Sequence, residues 1–399
     1  MTAKKGHDII KSRIIEKQRP VFPFYAEKRK SVPSQRMFML PDFKHDLWEV
    51  LARTHKKIFL YGMGNGADKI LSVCTKKGIP VEGFFANDAF VRGQSFHGKR
   101  VMTFAEVKET CGAENLLALL SFGTARPEVL SLICSVAGCC ELYAPDVPVC
   151  GETLFDRAFY LAHRKELEET RALFSDEESR FIFDRVLSYK LTGEISYLLE
   201  AVSDPRAVWK TLILPQKAHT VADLGAYTGD TAAALLAAPG SEIRKIYAIE
   251  PDRRNFQKLS AFAEKEKNAA IIPIRAAAWD QKEELAFRSS GNRNATLSAA
   301  GNPAHLERVP GERPDELLDS VPIDFIKYDV EGAEREALLG SAGILQKDRP
   351  LLALSLYHRS KDLFALPLLL KEHFPFYRHF YLRRFAGLPA WDIILFAKA

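Results

Sequence analysis

Four acids close four apolar runs in the second half of the chain. Asp223 stands at the end of T-V-A-D-L, Glu250 ends K-I-Y-A-I-E, Asp280 ends I-I-P-I-R-A-A-A-W-D, and Asp329 follows I-D-F-I-K-Y. Between the first two runs lies the turn L-G-A-Y-T-G-D, with Gly225, Tyr227 and Gly229. Open α/β sheets bind ligands outside the C-terminal ends of their strands, and an acid there can accept both hydroxyls of a ribose. Glycines let the backbone turn sharply and come close to a ligand, and the amides of the helix that starts near Asp230 favour a carboxylate or other anion. At the third strand end Asp280 can take an adenine amino group while Trp279 covers its ring. Asp329 and His358 are the two candidate proton acceptors, histidine being the side chain that titrates nearest neutrality. Asp329 and Glu331 also form half of a divalent-metal site, but no third ligand is legible, so no metal is expected.

These side chains need a scaffold that brings strand ends together. Alternation of strand and helix patterns resumes at Thr220 and runs to the C-terminus, which implies a mostly parallel sheet. It closes with Y-R-H-F-Y-L-R-R (377–384) and W-D-I-I-L-F-A-K (391–398), two runs separated by six residues that read as an antiparallel hairpin. Each element has a plainer reading on its own. A strand, a turn with two glycines and a helix are common, Glu250 before Pro251 can simply precede a helix, and Asp329 can cap one. The functional reading rests on four acids facing one crevice.

The series D-L-G-A-Y-T-G-D-T, I-Y-A-I-E-P-D, A-A-W-D and I-D-F-I-K-Y-D-V-E-G-A-E-R-E-A-L-L-G resembles S-adenosylmethionine-dependent methyltransferases of the FkbM type, over roughly residues 175–399. The resemblance implies a seven-stranded sheet with an antiparallel last strand, S-adenosylmethionine as cofactor, and methyl transfer to an oxygen, often a hydroxyl of a sugar or natural product. It implies that Asp223, Gly225, Tyr227 and Gly229 hold the methionine end, Glu250 the ribose and Asp280 the adenine, with Asp329 near the methyl group. Where many members carry an acid after the next strand, this chain has S-L-Y-H (355–358).

The first half reads as a second α/β unit. G-M-G-N-G-A (62–67) follows the run K-I-F-L-Y and precedes a helical pattern, with Asp88 at the end of the next strand, the context of a dinucleotide fingerprint. The stretch F-F-A-N-D-A-F-V-R-G-Q-S-F-H-G-K-R-V (84–101) resembles nucleotide- or sugar-binding domains found ahead of transferases. Hydride chemistry has no Y-x-x-x-K pair here, the one such spacing being Tyr357 and Lys361 in the other half. The expected organisation is a basic arm (1–45), a Rossmann-like unit (46–150), a helical bridge (151–202) and the methyltransferase unit (203–399). The fold class is therefore α/β with two Rossmann-like doubly wound sheets.

Charge and cysteines narrow the partners. Residues 1–36 hold ten basic and three acidic side chains, a surplus of seven, so a total of +5 leaves the remainder at −2. A nearly neutral body suits a small-molecule or glycan acceptor better than nucleic acid. No D-P-P-Y or N-P-P-Y string is present. No apolar run is long enough to span a bilayer and the start lacks a signal-peptide stretch, so a soluble, cytoplasmic protein is expected, compatible with a homo-oligomer. The six cysteines, all before residue 151, read as reduced core thiols. Two readings from other classes stay open: a ligand-binding scaffold without turnover, and an NAD-dependent oxidoreductase using the first unit.

Overall fold

A computed structural model describes residues 40–288, 296–297, 306–318 and 322–399; the basic arm falls outside them except for residues 40–45. Strands β1 (Lys57–Tyr61), β2 (Gly83–Ala86), β3 (Ser95–Phe96), β4 (Lys99–Thr103), β5 (Leu116–Leu120) and β6 (Glu141–Tyr143) form one sheet in the order β3-β4-β2-β1-β5-β6. Every pairing in it is parallel except the short β3–β4 hairpin. That hairpin lies within F-H-G-K-R-V, a segment too short for alternation to mark it as strand. β5, L-L-A-L-L, is buried along its whole length, as expected of a central strand covered on both faces.

The second half begins with β7 (Thr220–Leu224), β8 (Lys245–Ile249) and β9 (Ala270–Ile274), followed by β10 (Ala277–Ala278), β11 (Glu283–Arg288), β12 (Thr296–Leu297) and β13 (Leu306–Glu312). It ends with β14 (Phe325–Tyr328), β15 (Leu351–Ser355), β16 (His379–Arg384) and β17 (Ile393–Lys398). Seven of these make a sheet in the order β16-β17-β15-β14-β7-β8-β9. β17 runs antiparallel to both neighbours and the other pairs are parallel, so the terminal hairpin and the antiparallel last strand stand as expected. The order reverses between β7 and β14, which opens a crevice at their C-terminal ends.

One expected strand divides in two. The run I-I-P-I-R-A-A-A-W-D leaves the large sheet at Ile274, and Ala277–Ala278 instead pairs with Gly311 and Glu312 in a four-stranded sheet ordered β10-β13-β11-β12. Pro273 lacks an amide donor and is tolerated because β9 is the edge of the large sheet. The small alanines that follow are buried, and they carry the chain past Gly340, where an added Cβ would stand 1.9 Å from the Trp279 carbonyl oxygen.

Helices Arg157–Ala162, Arg164–Leu173, Glu177–Thr192 and Ile195–Glu200 occupy the bridge. Asp176 caps the third by accepting from the Ser179 amide, a contribution of about 1 kcal/mol. Ile182, Val186, Leu187 and Tyr189 are buried as their spacing requires, while Phe181 is only half-buried. This segment covers the exposed edge of β16, which would otherwise offer unpaired backbone groups. The Ser175 amide donates to the Phe380 carbonyl at 2.8 Å, and the Leu382 amide donates to Ser179 Oγ at 2.8 Å. Arg383, only 6% exposed at its side chain, reaches Asp176 at 2.6 Å and Glu178 at 3.6 Å. All six cysteines are free, but only Cys74 lies in the core and Cys139 is exposed, so the core-thiol expectation holds for one of them. Among the described residues, no helix is long and apolar enough to cross a membrane.

Replacing Arg383 by Met should leave Asp176 without its cation and loosen the bridge from β16, at about 2 kcal/mol. Urea denaturation monitored by circular dichroism measures this, and a loss under about 0.5 kcal/mol would show that the pair does not fasten the edge.

Candidate active site

The crevice is organised by a lysine that the sequence reading passed over. β7 and β14 are in register with Asp223 opposite Lys327, so both side chains leave the same face. Lys327 Nζ lies 3.1 Å from Asp223 Oδ1, 3.4 Å from Asp329 Oδ2 and 3.3 Å from the Gly225 carbonyl oxygen. Asp223 is fully buried and Lys327 nearly so. Burial works against the lysine cation, yet Asp223, Asp329 and Asp230 together hold it protonated, above the ordinary lysine range. For Asp223 burial wins over the attraction of Lys327, and its carboxyl is raised to about 6. Asp223 Oδ2 is buried with no hydrogen-bond donor among the described residues.

The glycine turn fits tightly around this pair. Gly225 and Ala226 amides both donate to the Ile249 carbonyl, at 3.0 and 2.9 Å. Gly225 has φ +83°, and a Cβ there would stand 1.9 Å from the Asp329 carbonyl oxygen. The close approach that demands glycine is thus to the neighbouring strand end. At Gly229, φ +90°, the nearest obstacle is the Phe262 ring. Tyr227 is a non-glycine residue at φ +50°, held there because its amide donates to Glu250 Oε2 at 2.9 Å. Glu250 Oε1 accepts the Asp252 amide at 2.9 Å. Burial raises this carboxyl to about 7, against the two amide donors. The Asn255 side chain also hydrogen-bonds this carboxylate.

Asp329 faces the crevice from the end of β14 with 29% of its side chain exposed. Its Oδ1 accepts from Ser355 Oγ at 2.8 Å and from the Tyr357 hydroxyl at 2.9 Å, two residues of the S-L-Y-H segment. Burial alone would raise its carboxyl. Lys327, His358 and these two hydroxyls outweigh that and hold it at about 2.

His358 lies among three acids. It is fully buried, with Nδ1 2.8 Å from Glu334 Oε1 and Nε2 3.4 Å from Glu331 Oε2 and 3.7 Å from Asp329 Oδ1. Burial disfavours its charge, but Glu334, Glu331 and Asp329 raise it to about 10. The three acids favour the imidazolium at neutral pH, which speaks against the ring as a proton acceptor. Its stabilising contribution is complete below pH 6.5 and is lost as pH rises through about 10. The first half of the chain reaches this side too. The Cys150 amide donates to the His358 carbonyl at 2.8 Å, and Cys150 Sγ lies 2.9 Å from the Glu331 carbonyl oxygen.

The structure brings Asp223, Gly225, Tyr227, Gly229, Glu250, Asp329 and His358 together at the ends of β7, β8, β14 and β15. Asp280 follows β10, after the point where its run leaves the large sheet for the small one. The Trp279 indole donates to Glu283 Oε1 at 2.5 Å. Lys327, Ser355, Tyr357 and Glu334 escaped the sequence reading. Lys327 alone left a usable signal, since a lysine inside a run of buried strand two residues before an acid must share that acid's face.

Residues 223–380 match the model of the methyltransferase FkbM domain. No curated protein matches the chain. Among solved structures, methyltransferase FkbM from Methylobacillus flagellatus KT aligns with a TM-score of 0.64 and 22% identity over 90% of this chain and 94% of its own, which shows a shared fold. Fibrillarin from Aeropyrum pernix, solved in complex with natively bound S-adenosyl-L-methionine, gives a TM-score of 0.31 at 17% identity over 49% of this chain and 73% of its own. An rRNA methylase from Streptococcus thermophilus gives 0.31 at 14% identity over 46% and 87%.

Substituting Lys327 by Met should leave Asp223 buried without a counter-charge and push its carboxyl above 6. A carboxyl raised in the folded state contributes stability below its unfolded value of 3.8 and loses it as pH rises through the folded value. The stability gap between wild type and variant should therefore widen from pH 5 to pH 8, reaching about 3 kcal/mol. Urea midpoints at the two pH values test this, and a gap that stays constant contradicts the pairing.

Proposed function

We propose that this protein, whose residues 223–380 are a methyltransferase FkbM domain, transfers a methyl group from S-adenosylmethionine to a hydroxyl oxygen of a small-molecule or glycan acceptor. The observation that carries the reading is the buried Asp223 Oδ2, which has no donor among the described residues and suits an ammonium group at the bottom of the crevice. The fit extends outward. Glu250 stands just past the end of β8, where an acid suits ribose hydroxyls, and the turn from Gly225 to Gly229 leads into the helix Asp230–Ala237, whose amides suit a carboxylate. The acting unit is taken as residues 203–399. Residues 46–150 are read as a scaffold or acceptor-presenting domain and 151–202 as the bridge between them.

When bound, S-adenosylmethionine supplies an electrophilic methyl carbon on a sulfonium. The chain must then align the acceptor oxygen with that carbon and take up a proton. A hydroxyl taking up a methyl group would become far more acidic than the free alcohol, so a group on this chain would accept its proton late in the transfer. Asp329, held at about 2, is too weak a base for a resting hydroxyl and strong enough for that late proton. Ser355 and Tyr357 keep its carboxylate aimed.

Asp223→Asn should weaken binding of S-adenosylmethionine and S-adenosylhomocysteine roughly 10- to 100-fold, the scale of a hydrogen bond to a charged group. Calorimetric titration of variant and wild type measures the change. No binding to wild type sinks the proposal, and unchanged affinity in the variant removes Asp223 from the cofactor site.

A further inference from the structure

We propose that Glu334 is a positioning residue for the acceptor side of this site, binding the Asp329–Gly332 loop and His358 into one charged unit. The inference rests on the methyltransferase reading for calling that side the acceptor's. Glu334 opens the helix Glu334–Gly340 and is 1% exposed. Its Oε1 accepts the Val330 amide at 3.0 Å and the Gly332 amide at 3.3 Å, and lies 2.8 Å from His358 Nδ1. One buried carboxylate oxygen thus accepts two amides of the loop and stands at ion-pair distance from the ring, whose nitrogens are buried with no well-aligned hydrogen-bond acceptor among the described residues.

The ring's other nitrogen sits between the two carboxylates that reach the open side, Glu331 and Asp329, whose side chains are 28% and 29% exposed. Ionic contact therefore passes from the fully buried Glu334, through a fully buried ring, to two partly exposed acids. With the ring charged, both acids stay ionised and aimed without repelling each other. With the ring neutral, their mutual repulsion would be unbalanced. Glu331 also stands at φ +53°, a conformation non-glycine residues rarely hold unless the surroundings impose it, and the amide bonds to Glu334 on either side impose it.

Other groups packed around the ring are consistent with this role. Asp362 is buried and its carboxyl is raised to about 7, by burial first and then by Glu334, so it is ionised where the ring titrates and adds to the negative charge around it. Arg359 donates from Nε to the Gly332 carbonyl oxygen at 2.9 Å. The Tyr357 ring lies 4.1 Å from the His358 ring, with its hydroxyl on Asp329. Cys150 contributes its amide to the His358 carbonyl, and its thiol is held up at about 12 by burial and by Glu331 and Glu334, so it stays neutral.

The test is an NMR pH titration of the histidine rings in the full chain, wild type and Glu334→Gln, alongside calorimetry with S-adenosylhomocysteine. Glutamine keeps an oxygen for the two amides and removes the charge. In wild type one of the ten histidine rings should stay protonated beyond about pH 9, and its signal should be absent in His358→Gln. In Glu334→Gln the midpoint should fall by about two pH units, while the affinity for S-adenosylhomocysteine stays within about threefold. A Glu334 that only caps the loop amides, without a charge coupled to the ring, would leave the ring midpoint unmoved. The proposal is overturned if every wild-type ring titrates near the ordinary range, if the midpoint is unmoved in the variant, or if affinity falls more than about tenfold, which would place Glu334 on the cofactor side. A wild type that binds no S-adenosylhomocysteine overturns the methyltransferase reading instead, and the ring titration still reports on Glu334. Should Glu334→Gln fail to fold, the wild-type titration alone can refute the proposal.

Discussion

The contact on which the rest of the site depends is the lysine held between two aspartates across the switch point of the large sheet. Lys327 joins β7 to β14 where their order reverses, and it touches the carbonyl of Gly225 as well as the two acids. A buried cation of this kind tolerates neither loss of its partners nor displacement. The ladder sets how far apart the two strand ends stand, the lysine ties their acids together, and the Gly225 turn has room only for a hydrogen where it meets the Asp329 carbonyl. The ionised state of Asp329 and the orphaned oxygen of Asp223 both follow from where this one ammonium sits.

The two halves of the chain are not merely adjacent. Thr124, just beyond the end of β5, forms a two-hydrogen-bond bridge with Leu388 in the hairpin loop between β16 and β17, and Trp391 packs on Gly123. Lys69 donates to the carbonyls of Pro148 and Val149, directly before the Cys150 contacts to Glu331 and His358. Ser360 donates to the Thr153 carbonyl in the same strip. The segment that leaves the first sheet therefore braces the loop carrying Asp329 and Glu331, which gives the first unit a mechanical role whatever it binds. Its own glycine motif has a packing duty as well, since a Cβ on Gly66 would stand 2.2 Å from the Ser121 carbonyl oxygen.

Much of this was legible in the sequence because strand ends are written in it. Apolar runs closed by Asp223, Glu250 and Asp329 located three strand ends, and alternation gave the sheets and the terminal hairpin. What stayed hidden depends on register and burial between distant segments. Nothing local shows that Ser355 and Tyr357 donate to Asp329, or that Glu334 lies beneath its own loop. His358 reads as a base from its residue type, which titrates near neutrality, and only the fold shows three acids around it that favour its cation. The run before Asp280, with Pro273 and three alanines, reads as one strand, and only the pairing with Gly311 and Glu312 shows that it leaves the large sheet.

The central claim is that the crevice between β7 and β14 holds S-adenosylmethionine. A crystal structure of the protein with S-adenosylhomocysteine tests it most directly. The account predicts the ligand's ammonium within hydrogen-bond reach of Asp223 Oδ2 and its ribose hydroxyls on Glu250. A ligand found instead at the ends of β1 and β5, or in the large crevice with its ammonium away from Asp223, would contradict it.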